Sequence, residues 1–291
     1  MTPKEPNTND EALKNAKLKM IKHIALDMDG TIYNGDTLFP FTIDFLSDMK
    51  KAGIRYSFLT NNSSKSRVDY LHHLEKMGIP AYEDEIYTSG QATIDFLRFN
   101  RPEISRLFIL GTPSLIKEFE DAGYISTKDD PTDKPDAVVV AFDTSLTYSR
   151  LCRAAWWIHE GLTYIATNPD KVCPTNLPVI LVDCGSVCAG LEKATGRKPD
   201  VVIGKPDPRM LDGIIHRYNL QPEEVAMVGD RIYTDIMTAK NAKALGVLVL
   251  SGETKEEDLV TSETKPDIVA EDLSEFGSMI INSLGSMIHI K

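Results

Sequence analysis

Residues 21–31, IKHIALDMDGT, decide the fold, because they join a strand of interior type to a close pair of carboxylates. The first six of them, 21–26, form a short and largely apolar run, which is typical of a strand inside a sheet. The run ends at Asp27, and Asp29 follows two residues later. Gly30 permits a tight backbone turn that brings Asp29 back over Asp27. We therefore expect a β-strand that presents two carboxylates at its carboxyl end.

Beyond this stretch, short apolar segments alternate with longer amphipathic ones. Further strands are predicted over residues 54–59, 106–110, 137–142, 163–166, 201–203, 225–228 and 247–250. Helices are predicted over residues 41–52, 66–77, 114–122, 146–160, 208–218, 234–240 and 273–284. This alternation predicts an α/β fold with a parallel sheet covered by helices. Residues 1–18 are polar and contain two prolines, so we expect a flexible N-terminal segment there.

Polar side chains follow four of the predicted strands. They are Asp27 and Asp29, then Thr60, Asn61 and Asn62, then Lys205, and finally Asp230 and Asp235. In open α/β sheets, ligands bind beyond the carboxyl ends of the strands. The sequence therefore predicts one functional site built from these strand ends.

The two carboxylates of the DMDGT motif suit phosphoryl transfer. When two carboxylates are held close together, one stays ionised while the other can hold a proton. An ionised Asp27 can attack phosphorus, and a protonated Asp29 can give its proton to the leaving alkoxide. Gly30 and Thr31 complete the motif in a supporting role. The alternative is that the pair only decorates a turn or caps a helix.

The segment Thr60-Asn61-Asn62 offers a hydroxyl, two amides and free backbone N–H groups at a strand-to-helix turn. Such groups suit a phosphoryl oxygen. An N-cap for the following helix would use the same residue types, together with Ser63 and Ser64, and the sequence leaves both readings open.

The remaining two strand ends supply opposite charges. Lys205 can neutralise a phosphate and a nucleophilic carboxylate, although an isolated lysine is more often a solvated surface residue. Asp230 and Asp235 offer the oxygen ligands that Mg²⁺ prefers. The alternative for Asp235 is a favourable interaction with the N-terminus of the next helix.

The composition and net charge of the chain limit the classes of binding partner that are expected. The chain has 291 residues, of which 42% are hydrophobic and 26% charged, and its formal net charge is −11. Nucleic acid and anionic membrane surfaces are therefore not expected as partners, whereas a small phosphorylated metabolite fits one locally positive pocket. The first twenty residues lack an apolar secretory core, so a cytoplasmic location is expected. The four cysteines are expected to be buried reduced thiols.

As a set, the motifs DMDGT (27–31), LTNNS (59–63), GKPDP (204–208) and GDRIYTD (229–235) resemble those of the haloacid dehalogenase superfamily of phosphohydrolases. The chain is most similar to the NagD-like branch, with its nitrophenyl-phosphatase and pyridoxal-phosphatase types. The resemblance runs from about Ile21 to Gly252 and includes TNPD (167–170) and residues 185–193, which look like this branch's cap.

The resemblance implies a Rossmann-like parallel-sheet core, residues 19–87 and 201–291, interrupted by an α/β cap domain over residues 88–200. It implies that Asp27 is the nucleophile and a metal ligand, and that Asp29 is the general acid and base with its backbone carbonyl on the metal. Thr60, Asn61 and Lys205 are implied to bind phosphate, and Lys205 also to clamp the nucleophile.

In the same way, Asp230 is implied to be the remaining carboxylate ligand of Mg²⁺, and Asp235 a partner of metal-bound water or of Lys205. Dimerisation through the cap into a homo-oligomer is a further implication. Substrate selectivity is expected from the cap, around residues 167–170 and 185–188.

The expected function is that of a Mg²⁺-dependent phosphatase acting on a small phosphorylated metabolite through an aspartyl phosphate. Two alternatives use the same scaffold. One is a phosphometabolite-binding sensor without catalysis, and the other is a phosphotransferase that uses an acceptor other than water.

Overall fold

The protein was analysed as a computed structural model that describes residues 8–175 and 177–285. The chain forms two compact units. Unit 1 comprises Met1–Phe58 and Ile214–Lys291, and unit 2 comprises Leu59–Gly213.

Strands and helices alternate along the chain, as the sequence predicts. The first part contains α1 (Thr8–Met20), β1 (His23–Asp27), β2 (Tyr33–Asn34), β3 (Thr37–Leu38), α2 (Thr42–Lys51), β4 (Arg55–Thr60), α3 (Arg67–Lys76), β5 (Ile86–Thr88) and α4 (Ser89–Asn100). The middle contains β6 (Arg106–Leu110), α5 (Pro113–Asp121), β7 (Ile125–Ser126), β8 (Ala137–Val140), α6 (Tyr148–His159), β9 (Thr163–Ala166), β10 (Val172–Cys173), β11 (Leu181–Val182), α7 (Cys184–Thr195) and β12 (Val201–Val202). The last part contains α8 (Arg209–Tyr218), β13 (Val225–Gly229), α9 (Met237–Ala242), β14 (Leu245–Val249), α10 (Glu256–Thr261), β15 (Ile268–Ala270) and α11 (Leu273–Gly285).

The sheet of unit 1 places β1 at its topological switch point. Its strands lie in the order β15, β14, β13, β1 and β4. Strand β1 runs parallel to β13, with His23 opposite Val225 and Leu26 opposite Val228. On its other side lies β4, the strand that follows it through helix α2. Open α/β sheets bind ligands where the strand order reverses, so the carboxyl end of β1 is the expected position for a site.

Unit 2 has a parallel sheet of its own. Its five strands lie in the order β12, β9, β8, β6 and β7. Strands β6, β8 and β9 are almost entirely buried, because helices cover this kind of sheet on both faces. The predicted α/β class with parallel sheets is confirmed. The boundaries of the inserted cap, 88–200, stay a prediction.

The structure differs from the sequence expectation at the N-terminus. Residues 8–18 lie in helix α1 rather than in a flexible segment, and residues 1–7 lie outside the described residues. Leu18 at the end of this helix and Ile21 behind it are buried, and Lys17 pairs with Asp267 at 2.5 Å. Good helix formers and two apolar anchors therefore outweigh the polar composition.

The helix predicted over residues 234–240 begins with a π-helical turn rather than with an α-helical one. Residues Ile232–Ile236 form a π-helical turn, and α9 starts only after it. The Ile236 N–H donates to the Arg231 carbonyl, five residues back, at 3.3 Å. Turns of this kind are frequent at functional sites.

None of the described helices combines the length and the apolar composition of a membrane-spanning segment.

The expectation for the cysteines holds for two of the four. All four are free thiols, but only Cys184 and Cys188 are buried, whereas Cys173 is partly accessible and Cys152 is exposed.

His23, the first residue of β1, is a core histidine. It is fully buried, its Nε2 lies 2.9 Å from the Ser57 hydroxyl, and its ring lies 4.7 Å from that of Tyr218. Burial, and then the charges of Arg55 and Arg217, lower the pKa of His23 to about 3. The unfolded chain therefore binds a proton between about pH 6.5 and 3 that the folded chain excludes.

Because the pKa of His23 differs between the folded and unfolded chain, the free energy of unfolding depends on pH through this side chain. Stability is fully present above pH 6.5 and falls as the pH drops toward 3. Between pH 7.5 and pH 5 the loss due to His23 should be about 2 kcal/mol. His23→Gln should remove that part of the pH dependence, measured by thermal unfolding at both pH values. The exposed His159→Gln is the control, and an equal pH dependence in the wild type and His23→Gln would contradict the assignment.

Candidate functional site

Three carboxylates of unit 1 converge at the carboxyl ends of β1 and β13. Asp27 is the last residue of β1, Asp230 directly follows β13, and Asp235 lies in the π-helical turn. Each offers an oxygen, and these oxygens all lie within 4.8 Å of one another. The parallel register of β1 and β13 explains the convergence, because adjacent parallel strands end at the same edge of the sheet.

Glycines leave the space that this acidic cluster needs. Gly30 has φ +86°, and a Cβ there would lie 2.4 Å from Oδ2 of Asp230. A Cβ at Gly252 would lie 2.1 Å from the same oxygen. At Gly229, a Cβ would meet the carboxyl carbon of Asp235 at 2.3 Å. Any side chain at these positions would push the carboxylates out of place, so the glycines are part of the site.

The carboxylate of Asp230 is held by one oxygen only. Its Oδ2 accepts a hydrogen bond from the Glu253 N–H at 2.7 Å. Its Oδ1 is buried and has no hydrogen-bond partner among the described residues. A buried oxygen without a partner is costly unless something outside the chain satisfies it.

The electrostatics of the cluster are those of a cation site. Burial, and then the charges of Asp27 and Asp235, raise the pKa of Asp230 to about 7. Burial alone would lower the pKa of Arg231, but the charges of Asp27 and Asp230 raise it above its ordinary value. Arg231 is paired with Glu253 at 2.9 Å. These three carboxylates supply the hard oxygen ligands that Mg²⁺ prefers. The buried Oδ1 of Asp230, which has no hydrogen-bond partner among the described residues, also fits a divalent cation.

Asp29 stands apart from the three clustered carboxylates. Its Oδ1 accepts a hydrogen bond from the Gly35 N–H at 2.9 Å, in the turn between β2 and β3. The backbone bends sharply directly after Asp29, since the Gly30 N–H donates to the Tyr33 carbonyl at 2.7 Å. Thr31 is fully buried beside this bend. The short β2–β3 hairpin thus fixes the orientation of the Asp29 side chain.

A second polar cluster lies in unit 2, around Asn61. Oδ1 of Asn61 accepts from the Lys205 N–H at 2.6 Å, and Nδ2 donates to the Lys205 carbonyl at 3.0 Å. Nδ2 also lies 3.1 Å from Oδ2 of Asp170. Both Asn61 and Lys205 are buried. The Asn61 amide is therefore engaged with the protein itself, which leaves its backbone N–H as the group that can meet a phosphate.

The neighbours of Asn61 settle an alternative that the sequence left open. Helix α3 is capped by Ser66, which forms a capping box with Asp69, and not by the Thr60–Asn62 segment. The Thr60 hydroxyl accepts from the Asn62 N–H at 3.1 Å, and Oδ1 of Asn62 accepts from the Ser64 N–H at 2.9 Å. This segment is thus a polar turn ahead of the helix.

Sequence reasoning missed one set of residues entirely and, for a second set, missed the contacts with Asn61. Ser251, Gly252 and Glu253 follow β14 and surround Asp230, and the Ser251 hydroxyl also donates to the Gly30 carbonyl at 2.8 Å. Their position directly after the predicted strand 247–250 could have identified them as site residues. Asp170 and Asn168, which contact Asn61, had no signal in the sequence beyond the resemblance of TNPD to a cap motif.

Comparison with known proteins gives consistent matches. Residues 24–125 match the family model of the haloacid dehalogenase-like hydrolases, and residues 202–276 match a second model, described as HAD-hydrolase-like. Ribonucleotide monophosphatase NagD of Escherichia coli strain K12 is 31% identical over 255 residues, which cover 88% of this chain and 98% of that protein.

Solved structures agree with the family models. A 4-nitrophenylphosphatase from Thermotoga maritima superposes with a TM-score of 0.84 at 43% identity, over 90% of this chain and 98% of that chain. A glycerol phosphate phosphatase from Mycobacterium tuberculosis, crystallised in complex with magnesium, superposes with a TM-score of 0.82 at 30% identity, over 89% and 77% of the two chains.

The acidic cluster can be tested without any measurement of activity. Millimolar Mg²⁺ should raise the unfolding temperature of the wild type, because a ligand that binds only the folded state stabilises it, by about 2.7 kcal/mol at a hundredfold excess over Kd. Asp230→Asn should lose most of this rise. At pH 8 in chelator, the same variant should unfold at a higher temperature than the wild type, because a buried like charge has been removed.

Asp44→Asn, which removes an exposed carboxylate from the first turn of α2, is the matched control and should respond to Mg²⁺ as the wild type does. Equal Mg²⁺ responses in Asp230→Asn and in the control would rule out the cluster as the cation site.

Proposed function

Since this chain belongs to the haloacid dehalogenase-like hydrolase family, in its NagD-like branch of phosphatases, we propose that it hydrolyses a small phosphorylated metabolite in a Mg²⁺-dependent reaction. The observation that carries the proposal is the convergence of Asp27, Asp230 and Asp235 within 4.8 Å, together with the unsatisfied Oδ1 of Asp230. The chain is a phosphoric monoester hydrolase by family, and this cluster supports the metal dependence.

The carboxylates of Asp27 and Asp230 and the backbone carbonyl of Asp29 would hold Mg²⁺, with Asp235 as a supporting group. A cation bound there would screen the repulsion between an anionic phosphate and the nucleophile and would stabilise charge in the transition state. Arg231, whose pKa is raised by the same carboxylates, supplies a permanent positive charge beside them.

In the proposed first step, a carboxylate oxygen of Asp27 attacks phosphorus. A bond forms between that oxygen and phosphorus, and the bond from phosphorus to the leaving oxygen breaks. Asp29 donates its proton to the leaving alkoxide. The hydrogen bond from the Gly35 N–H supports this role, since it holds the Asp29 side chain in one orientation.

In the second step, Asp29 accepts a proton from water as the water oxygen attacks the phosphorus of the aspartyl phosphate. The bond from phosphorus to the Asp27 oxygen breaks, which releases inorganic phosphate and restores the ionised Asp27 and the protonated Asp29. The overall reaction consumes one ester and one water molecule, and it needs no acceptor besides water.

We further propose that the phosphoryl oxygens are bound by the Thr60 hydroxyl, the backbone N–H of Asn61 and the ammonium of Lys205, with Asn62 shaping the turn. The engagement of the Asn61 amide with the Lys205 backbone supports this division of roles. Lys205 is 4% exposed, so its charge lies in a setting where it acts more strongly than it would in bulk water.

The proposal concerns the phosphoryl end of the substrate. The relatives are all named as phosphatases, and their names differ in the phosphorylated compound: a ribonucleotide monophosphate, a nitrophenyl phosphate or a glycerol phosphate. The predicted selectivity region around residues 167–170 and 185–188 stays a prediction, although Thr167, Asn168 and Cys188 are buried within unit 2.

Replacement of the nucleophile gives the direct test. Asp27→Asn should lower Mg²⁺-dependent release of phosphate from p-nitrophenyl phosphate by roughly three orders of magnitude or more, because a neutral amide cannot form the covalent intermediate. The exposed Asp44→Asn should keep wild-type activity. Steady-state rates with Mg²⁺ and with excess chelator, alongside thermal unfolding, make the measurement.

Wild-type rates in Asp27→Asn, or full activity in chelator, would contradict the mechanism. A wild-type protein that binds inorganic phosphate but releases none from any ester would favour the sensor alternative. Transfer of phosphate to an added alcohol in preference to water would favour the phosphotransferase.

A further inference from the structure

The turn formed by residues 167–170 follows β9 and is built into the interior of unit 2. Thr167 and Asn168 are fully buried. The Thr167 hydroxyl lies 2.9 Å from the hydroxyl of Ser63, within the LTNNS motif. This turn therefore packs against the proposed phosphate-binding segment.

Asn168 ties the turn to both phosphate-side motifs. Its Nδ2 donates to the Asn61 carbonyl at 2.9 Å. Its Cβ would be 2.8 Å from a Cβ placed on Gly204, where φ is +81°. Gly204 immediately precedes Lys205, so only a residue without a side chain allows the turn to lie this close to the GKPDP motif.

Asp170 is the only residue of this turn with a charged side chain, and its backbone is fixed from two sides. Its N–H donates to Oδ1 of Asn168 at 2.9 Å, and its carbonyl accepts from the Gly185 N–H at 2.8 Å. A Cβ on Gly185 would lie 2.2 Å from the Pro169 carbonyl oxygen, so the contact requires glycine. These backbone contacts hold the carboxylate beside the Asn61 amide.

Nδ2 of Asn61 shares its two hydrogens between Asp170 and Lys205. It lies 3.1 and 3.3 Å from the two carboxylate oxygens of Asp170 and 3.0 Å from the Lys205 carbonyl. Hydrogen bonds to an ionised acceptor are shorter and stronger than neutral ones. Asp170 therefore fixes the rotation of the amide, and the amide in turn fixes both backbone polar groups of Lys205.

We propose that Asp170 is a positioning residue that acts through Asn61 to hold Lys205 in the orientation required for phosphate binding. The inference rests on the proposed function, because that function assigns phosphate binding to Lys205. The route is a chain of contacts within unit 2, from the Asp170 carboxylate to the Asn61 amide and from there to the Lys205 peptide.

Two variants weaken the hydrogen bond between Asp170 and the Asn61 amide to different degrees. Asp170→Ala removes the acceptor, whereas Asp170→Asn keeps the shape and a neutral acceptor oxygen. Misplacement of a binding group by about 1 Å costs up to roughly a hundredfold in rate. We expect kcat for p-nitrophenyl phosphate to fall about ten- to a hundredfold in Asp170→Ala and by a smaller factor in Asp170→Asn.

A second readout follows Lys205 directly. Trace acetylation with acetic anhydride, followed by mass spectrometry, reports the accessibility of each lysine, and Lys198, with 77% of its side chain exposed, is the internal reference. Labelling of Lys205 relative to Lys198 should rise severalfold in Asp170→Ala and less in Asp170→Asn. Each variant is assayed well below its own unfolding temperature.

Asp136→Asn is the matched control. Asp136 also lies in unit 2 and accepts hydrogen bonds from two backbone N–H groups, those of Ser105 and Arg106, ahead of β8. Its replacement should change neither kcat nor the labelling of Lys205. If Asp170→Ala fails to fold, Asp170→Asn decides the question alone.

The two readouts separate this inference from the proposed function. Unchanged Lys205 labelling overturns the positioning role, whatever happens to activity. Raised labelling with unchanged kcat in an active enzyme overturns it as well. Raised labelling in a chain whose wild type hydrolyses no phosphate ester supports the positioning of Lys205 and refutes the proposed function.

Discussion

Mutual repulsion among the carboxylates of Asp27, Asp230 and Asp235 is the constraint on which the site depends. Three such groups within 4.8 Å of one another are unfavourable in a buried setting, and burial first, then the charges of Asp27 and Asp235, raise the pKa of Asp230. The fold accommodates this arrangement through glycines and a backbone donor around Asp230. Glycines at 30 and 252 leave room for the Asp230 carboxylate, and the Glu253 N–H binds one of its oxygens. The other oxygen is buried without a hydrogen-bond partner among the described residues, and this is where the proposed cation would bind.

The second polar cluster solves a different problem, the placement of a buried lysine. Lysine has a long and flexible side chain, so a defined ammonium position requires a fixed backbone. Asn61 supplies this by pairing its amide with both backbone groups of Lys205, as one strand pairs with its neighbour. The acidic cluster thus depends on glycines that leave room for its carboxylates. The second polar cluster depends on the hydrogen bonds between the Asn61 amide and the Lys205 backbone.

Sequence reasoning predicted most of the fold because the apolar runs of β1, β6, β8, β9 and β13 are short, buried and sharply bounded. It failed where tertiary contacts override local composition. Helix α1 forms because Leu18 is buried, and the turn at Ile232–Ile236 widens as it delivers Asp235 to the cluster. The strand ends predicted the acidic residues, but not the loop at Glu253 or the role of Asp170, since both act through backbone and amide contacts that leave no pattern in the sequence.

The proposed mechanism requires that Asp27 becomes covalently phosphorylated. Acid quenching during turnover of p-nitrophenyl phosphate with Mg²⁺, followed by borohydride reduction, converts an aspartyl phosphate to homoserine, which peptide mass spectrometry locates. The account predicts homoserine at position 27, and none there when Mg²⁺ is removed by chelator. Release of phosphate with no reduced residue at position 27, or with the reduced residue at another carboxylate, would contradict it.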